Sequence, residues 1–174
     1  MQPTLTETPY ILYLTPMITG TPIAFDSEVQ NINNVIGDIY NIPPSCNNPG
    51  TDNQTKPEFV DITEQVDVNK LFISEIADSE NNTYRAYLVE EPALESCNAC
   101  FRTRVYSMNI ATGQIYRVSW SGYQGGRTMF RVVWIGDKIL AFEQSLNPHS
   151  GEIVAFDVEK QNFVYHAITS DFCK

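Results

Sequence analysis

Residues 128–168, TMFRVVWIGDKILAFEQSLNPHSGEIVAFDVEKQNFVYHAI, decide the fold. They divide into four short runs of mixed apolar and polar residues, each ended by a turn signal. The first, 129–135, runs into Gly136-Asp137, a pair suited to a two-residue hairpin because glycine accepts positive φ at little steric cost. Residues 138–144 follow, with Leu140 and Phe142 on one face and Ile139, Ala141 and Glu143 on the other. A loop over 145–151 leads to a run at 152–158, and a turn at 159–162 leads to 163–168. The pattern predicts a four-stranded antiparallel β-meander.

The meander has an echo upstream. Residues 105–110 lie over 153–158, an offset of 48 residues (153 minus 105). The turns at 111–114 and 159–162 then coincide, and 115–120 lies over 163–168. The Gly136-Asp137 hairpin has no counterpart at that offset, because position 88-89 is Leu-Val. The first unit therefore draws its other strands from 71–77 and 83–89, around the polar turn 78–82. A four-stranded unit recurring at this spacing resembles the blades of β-propellers, in which each sheet buries its faces on its neighbours. Two blades cannot close a ring. Either the two sheets pack face to face as a sandwich in one domain, or the chain is part of a larger assembly.

The 174 residues favour one domain, with a Thr/Pro-rich arm over 1–22 and a β-rich globular domain over 23–174. No apolar run approaches the ~20 residues of a membrane span. The N-terminus shows neither a basic n-region nor an apolar h-region, so no leader peptide is expected in this sequence. A net charge of −10 argues against general nucleic-acid binding, which needs a lysine and arginine surplus. Charge is unevenly spread. Arg102, Arg104, Arg117, Arg127 and Arg131 all fall between Glu95 and Asp137, an interval without an acidic residue.

One helix is expected near the N-terminus. Ser27 with Gln30 reads as a capping box, and Val29, Ile32, Val35, Ile36, Ile39 and Tyr40 recur at helical spacing before Pro43-Pro44 stops the run. Asn33, Asn34 and Asp38 then face water. Residues 10–14 form a candidate edge strand, 45–57 a loop, and 59–68 a strand or extended connection.

Cys46, Cys97, Cys100 and Cys173 are even in number and scattered over a β-rich chain. Three pairings are open. The expected one joins Cys97 to Cys100 as a local staple and Cys46 to Cys173, the latter worth about 4–5 kcal/mol in the chain-entropy model. Disulfides place the protein outside the cytoplasm. The competing reading is four free thiols in a cytosolic protein. The Cys97–Cys100 spacing is also that of a dithiol redox centre, but it lacks the helix N-terminus that such centres use. One such pair does not make a Cys₄ zinc site.

Other motifs point to binding more than to catalysis. The glycine-rich stretch 121–127 has no Gly-Lys-Ser/Thr ending, and no Gly-x-Ser-x-Gly elbow occurs. Asp78, Glu80 and Asn82 alternate like a calcium loop but lack its glycine and its closing acid, so a polar turn fits better. Asn53 and Asn81 each open an Asn-x-Thr triplet in a loop. His166 reads as a hydrogen-bonded strand residue in phase with Val164 and Ile168, while His149, in a loop, is the weak candidate for acid–base work. Arg117, Trp120, Tyr123, Arg127 and Arg131 crowd together as aromatic rings plus guanidinium groups, a platform for a glycan, a peptide or an anionic polymer.

The expectation is therefore a mainly β protein with one short helix, built of two blade-like meanders and needing no cofactor or metal. It is read as a non-catalytic, extracytoplasmic binding or surface module with an unidentified ligand or protein partner. A secreted hydrolase using His149, and a self-associating structural module forming homo-oligomers, are the alternatives.

Overall fold

The computed structural model describes residues 17–18, 21–27, 30–42, 57–92, 101–120, 129–147 and 150–170. The elements in chain order are β1 (Met17–Ile18), α1 (Ile32–Tyr40), β2 (Pro57–Asp61), β3 (Ile73–Asp78), β4 (Tyr84–Pro92), β5 (Phe101–Asn109), β6 (Ile115–Trp120), β7 (Met129–Ile135), β8 (Ile139–Asn147), β9 (Ser150–Asp157) and β10 (Asn162–Ser170). A single 3₁₀ turn, Val68–Lys70, precedes β3.

These strands make two open antiparallel meanders. In the first sheet β3, β4, β5 and β6 follow one another, and β2 closes the far edge against β6. The short β1 adds to the near edge, parallel to β3 through Met17 opposite Glu75. The second sheet runs β7-β8-β9-β10. Both expected units are thus present, and the predicted upstream strands lie where β3 and β4 form. The chain just after β1 also serves the second sheet. Ile23 bridges Ile135 in parallel, its N–H donating to Trp134 O at 2.9 Å. One N-terminal segment so covers the β3 and β7 edges, which would otherwise present unpaired backbone groups.

Face-to-face packing of the sheets makes the central core. Ala86, Leu88, Val105 and Val118 meet Trp134, Leu140, Phe142, Val154 and Phe156, all fully or nearly fully buried. Each large side chain taken from water there contributes about 1.5–3 kcal/mol. The alternate residues of the same strands are buried as well. On the second sheet Val133, Ile135, Ala141, Ile153, Ala155 and Tyr165 pack beneath Ile36, Ile39 and Ile42 of the helical segment. On the first, Tyr87, Val89, Tyr106 and Ile115 pack beneath Ile62, with Val66, Val68 and Leu71 of the connection after β2. The chain itself therefore caps both outer faces. A sandwich with capped faces needs no neighbouring blade to cover those faces.

Several expected boundaries shift. The helix begins at Asn31, not Ser27: Asn31 Oδ1 accepts from the Asn33 N–H at 2.9 Å, while Gln30 turns back to accept from the Asp26 N–H. Asn34 and Asp38 face water as expected, but Asn33 is half-buried. The β7–β8 turn has three residues, since Ile135 pairs with Ile139. The expected loop over 145–151 shrinks, because Asn147 already pairs with Ser150. Residues 10–14 lie outside the described residues.

Candidate functional site

At one end of the sandwich the central core runs out into a cleft of about 340 Å³, near the small end of ligand pockets, roughly 300–1,000 Å³. Strand alternation places its walls. Val105 and Val118 point into the core, so Ser107 and Tyr116, two positions along, and Asn109, four along, point the same way and reach the cleft. Phe59 of β2 and Tyr84 of β4 complete the aromatic lining. Phe59 stands edge-on to Tyr116 (centroids 6.3 Å, 74°) and to Phe156 (5.8 Å, 89°). Val158, Glu159 and Gln161, in the turn before β10, close the opposite side.

The two turns that flank the cleft are equivalent under the 48-residue repeat. Asn109 Oδ1 accepts from the Ala111 and Thr112 N–H groups at 3.0 and 3.1 Å. Asp157 Oδ1 accepts from those of Glu159 and Lys160 at 3.1 and 2.9 Å. Each turn ends on a left-handed residue, Gly113 at φ 74° and Gln161 at φ 54°. Glycine takes that conformation freely; glutamine does not. The second unit thus keeps a strained backbone position at the rim and puts a long amide there.

Polar groups in the cleft fall into two sets. Some are already engaged. Gln114 Nε2 donates to Asp61 Oδ2 at 2.9 Å, and Glu159 pairs with Lys138 at 2.7 Å. Burial raises the Tyr84 phenol, and the Glu159 carboxylate beside it raises it further. Asp157 is raised by burial, but the Lys160 N–H and ammonium and the Glu159 N–H outweigh this and hold it below the ordinary carboxylate range. Asp61 is likewise lowered, by the Thr63 hydroxyl and the Gln114 amide. Others are free: among the described residues nothing hydrogen-bonds the Ser107 hydroxyl, the Tyr116 hydroxyl or the Gln161 amide. Ser107 is the telling one, at 3 % exposure. Buried hydroxyls are almost always paired, and leaving one bare costs about 1–3 kcal/mol.

Compared with protein-family models, curated proteins and solved structures, the chain matches none. Function must be read from the site itself.

Of the residues expected to bind, Arg117 lies on β6 opposite Tyr106 and Val60, on the face away from the cleft. Trp120 ends β6 opposite Pro57, and Arg131 lies in β7. Tyr123 and Arg127 lie outside the described residues, as do His149 and all four cysteines, Cys46, Cys97, Cys100 and Cys173. A shared platform of these residues is therefore not on view. His166 is a hydrogen-bonded strand residue, Nε2 to Glu152 Oε1 at 2.6 Å. Its expected phase was off by one. A bulge between Phe163 and Tyr165 sends Val164 to the helix side, and His166 stacks on Phe163 with centroids 5.2 Å apart. Asp78 is taken by Arg85, Oδ2 to Nη2 at 2.7 Å, which fits the polar turn over a calcium loop.

Ser107, Tyr84, Tyr116 and Phe59 were not singled out by sequence reasoning. Their strands read as core strands, and only the paired turns, visible at the 48-residue offset, pointed to this end of the sandwich. Among the described residues no cluster of three or more His, Cys, Asp or Glu could hold a metal ion, and no helix is long and apolar enough to cross a membrane.

Proposed function

We propose that the protein is a non-catalytic binding module of an extracytoplasmic compartment, and that it binds a small polar ligand in the cleft between the paired turns. The observation that carries this reading is the bare, buried Ser107 hydroxyl facing a cavity lined by aromatic rings and amides. Rings provide apolar contact area, and a few convergent polar groups fix orientation. Binding is favoured over catalysis because, among the described residues, no histidine or carboxylate hydrogen-bonds Ser107, so nothing activates it as a nucleophile. The extracytoplasmic setting rests on the even set of four cysteines in a β-rich chain.

Two measurements test this. Amide-resolved NMR titration with a mixed panel (neutral glycosides, a capped dipeptide, a sulfated oligosaccharide) should give saturable shifts at Ser107, Asn109 and Gln161. Shifts with no panel member, or only at residues remote from the cleft, would remove the binding site. Thiol titration of protein from its native compartment, with and without denaturant, should find no free thiol; four titratable thiols in denaturant would remove the compartment.

A further inference from the structure

We infer that the cleft is built for one uncharged sugar ring of a saccharide, seated on the Tyr116 and Phe59 side with its hydroxyls turned to Ser107 and Gln161. This rests on the binding reading above and narrows it.

Three features select the ligand class. First, the free groups are hydroxyls and amides, which both donate and accept, as sugar hydroxyls do. Ser107 can accept from one sugar hydroxyl and donate to another, and the Gln161 amide offers the same duality. Asn109 spends its Oδ1 on the turn, and its side-chain amide also bonds the Tyr84 phenol, so it frames the cleft and is not a free group in it. Second, the cleft lacks a counter-charge for an anion. Its described lining holds no lysine or arginine; Lys138 stands nearby but is paired to Glu159, whose carboxylate is part of the lining. An anionic ligand would meet that carboxylate in a chain of net charge −10, and would lose affinity for it. Third, the backbone of the three central lining strands is already used. β4, β5 and β6 each have a hydrogen-bonded strand on both sides. Of the described strands that line the cleft only β2 has an unpaired side, so an extended peptide, which is most often held by adding to a strand edge, would pair there at the sheet's margin and not across the cleft. A pyranose needs no strand edge, since its C–H face packs on aromatic rings and its rim of hydroxyls is met by side chains.

Ser107 allows a clean test. Because no described group relies on its hydroxyl, Ser107→Ala removes a bare buried polar atom and leaves the melting temperature equal or higher. The full chain would be titrated by NMR with methyl glucoside, methyl galactoside and methyl mannoside, and in parallel with glucuronate and a capped alanine dipeptide. At least one neutral glycoside is expected to shift Ser107, Asn109, Gln114 and Gln161 saturably. Ser107→Ala should weaken that binding roughly 5- to 10-fold, the loss of one hydrogen bond, and Tyr116→Ala should weaken it more. Cleft shifts from glucuronate or the dipeptide, with none from any neutral glycoside, would overturn the saccharide assignment and leave the binding reading standing. No cleft shift from any probe would overturn both. A glycoside that binds Ser107→Ala as tightly as the parent would overturn the seating given to Ser107.

Discussion

The Tyr84 ring lies stacked on the Trp134 indole, centroids 5.9 Å apart and planes 22° apart, with Tyr84 on the first sheet and Trp134 on the second. The same indole donates its Nε1–H to Ala77 O at 2.9 Å. One residue therefore joins the sheets by apolar burial, by ring stacking and by a buried hydrogen bond, directly beneath the cleft wall that Tyr84 forms.

Trp134→Phe keeps an aromatic ring but removes the donor and part of the volume, leaving the buried Ala77 carbonyl without this partner. The expected destabilisation is about 2–4 kcal/mol, the sum of a lost buried hydrogen bond and a partial cavity. Urea unfolding should show a lower midpoint with an unchanged slope. A shift under 1 kcal/mol would mean that the sheets are held together elsewhere.

Asp137 joins the turns of the two units, accepting from Ser79 Oγ at 2.9 Å, Asn81 N at 2.9 Å and Thr83 Oγ1 at 2.7 Å. Burial raises this carboxyl, but the donors win and hold it below its ordinary value. A depressed folded-state pKa contributes stability that is present above the unfolded value of about 3.9 and is lost as pH falls through the folded one. Asp157 acts in the same direction. Asp137→Asn turns an all-acceptor group into one with two donors facing donors, and should cost about 2 kcal/mol at pH 7. The gap between parent and variant should narrow steadily below about pH 4. A gap that stayed constant down to pH 2.5 would show that the carboxylate's charge plays no part.

Much of the architecture was legible because strand period and turn chemistry agreed. The run Leu140–Phe142 against Ile139–Ala141, and the coincident turns after Asn109 and Asp157, each had a local cause that tertiary packing did not override. What was missed turned on competing local hydrogen bonds, on a strand bulge and, for the cleft, on partners distant in sequence. Asn31 displaced Ser27 as the helix cap because Gln30 bonds back to Asp26. The Phe163–Tyr165 bulge moved His166 to the opposite face from the one alternation assigns. The cleft could not be read at all from one strand, since Phe59, Tyr84, Ser107 and Tyr116 come from four. The arginine and aromatic cluster was conspicuous by composition; the structure places its Arg117 on the face of β6 away from the cleft, while Tyr123 and Arg127 lie outside the described residues.

His166 and Glu152 form a pair whose side chains are 14 % and 8 % exposed. His166→Phe retains the stacking on Phe163 but strips a partner from a buried carboxyl, and should cost about 2–3 kcal/mol. Glu152→Met in the same chain should recover part of that loss, because replacing both polar partners by apolar groups is far milder than removing one. A double-mutant cycle in urea should give a coupling of about 1–2 kcal/mol. Simple additivity would show that the pair adds nothing to the packing around it.

Gly113 and Gln161 occupy the same left-handed site in the two units, and exchanging them separates backbone strain from side-chain use. A side chain at Gly113 would meet open space, so Gly113→Gln tests the backbone alone and should cost about 1 kcal/mol. The reverse change, Gln161→Gly, should stabilise by about 0.5–1 kcal/mol, since among the described residues the Gln161 amide has no hydrogen-bond partner to lose. A more stable fold that binds its ligand less well is the pattern of a position where strain is kept for function. Urea midpoints give the first half of that pattern, and glycoside titration of Gln161→Gly gives the second. If Gln161→Gly lowers stability instead, the amide holds the turn together, and its place at the cleft rim is a matter of folding alone.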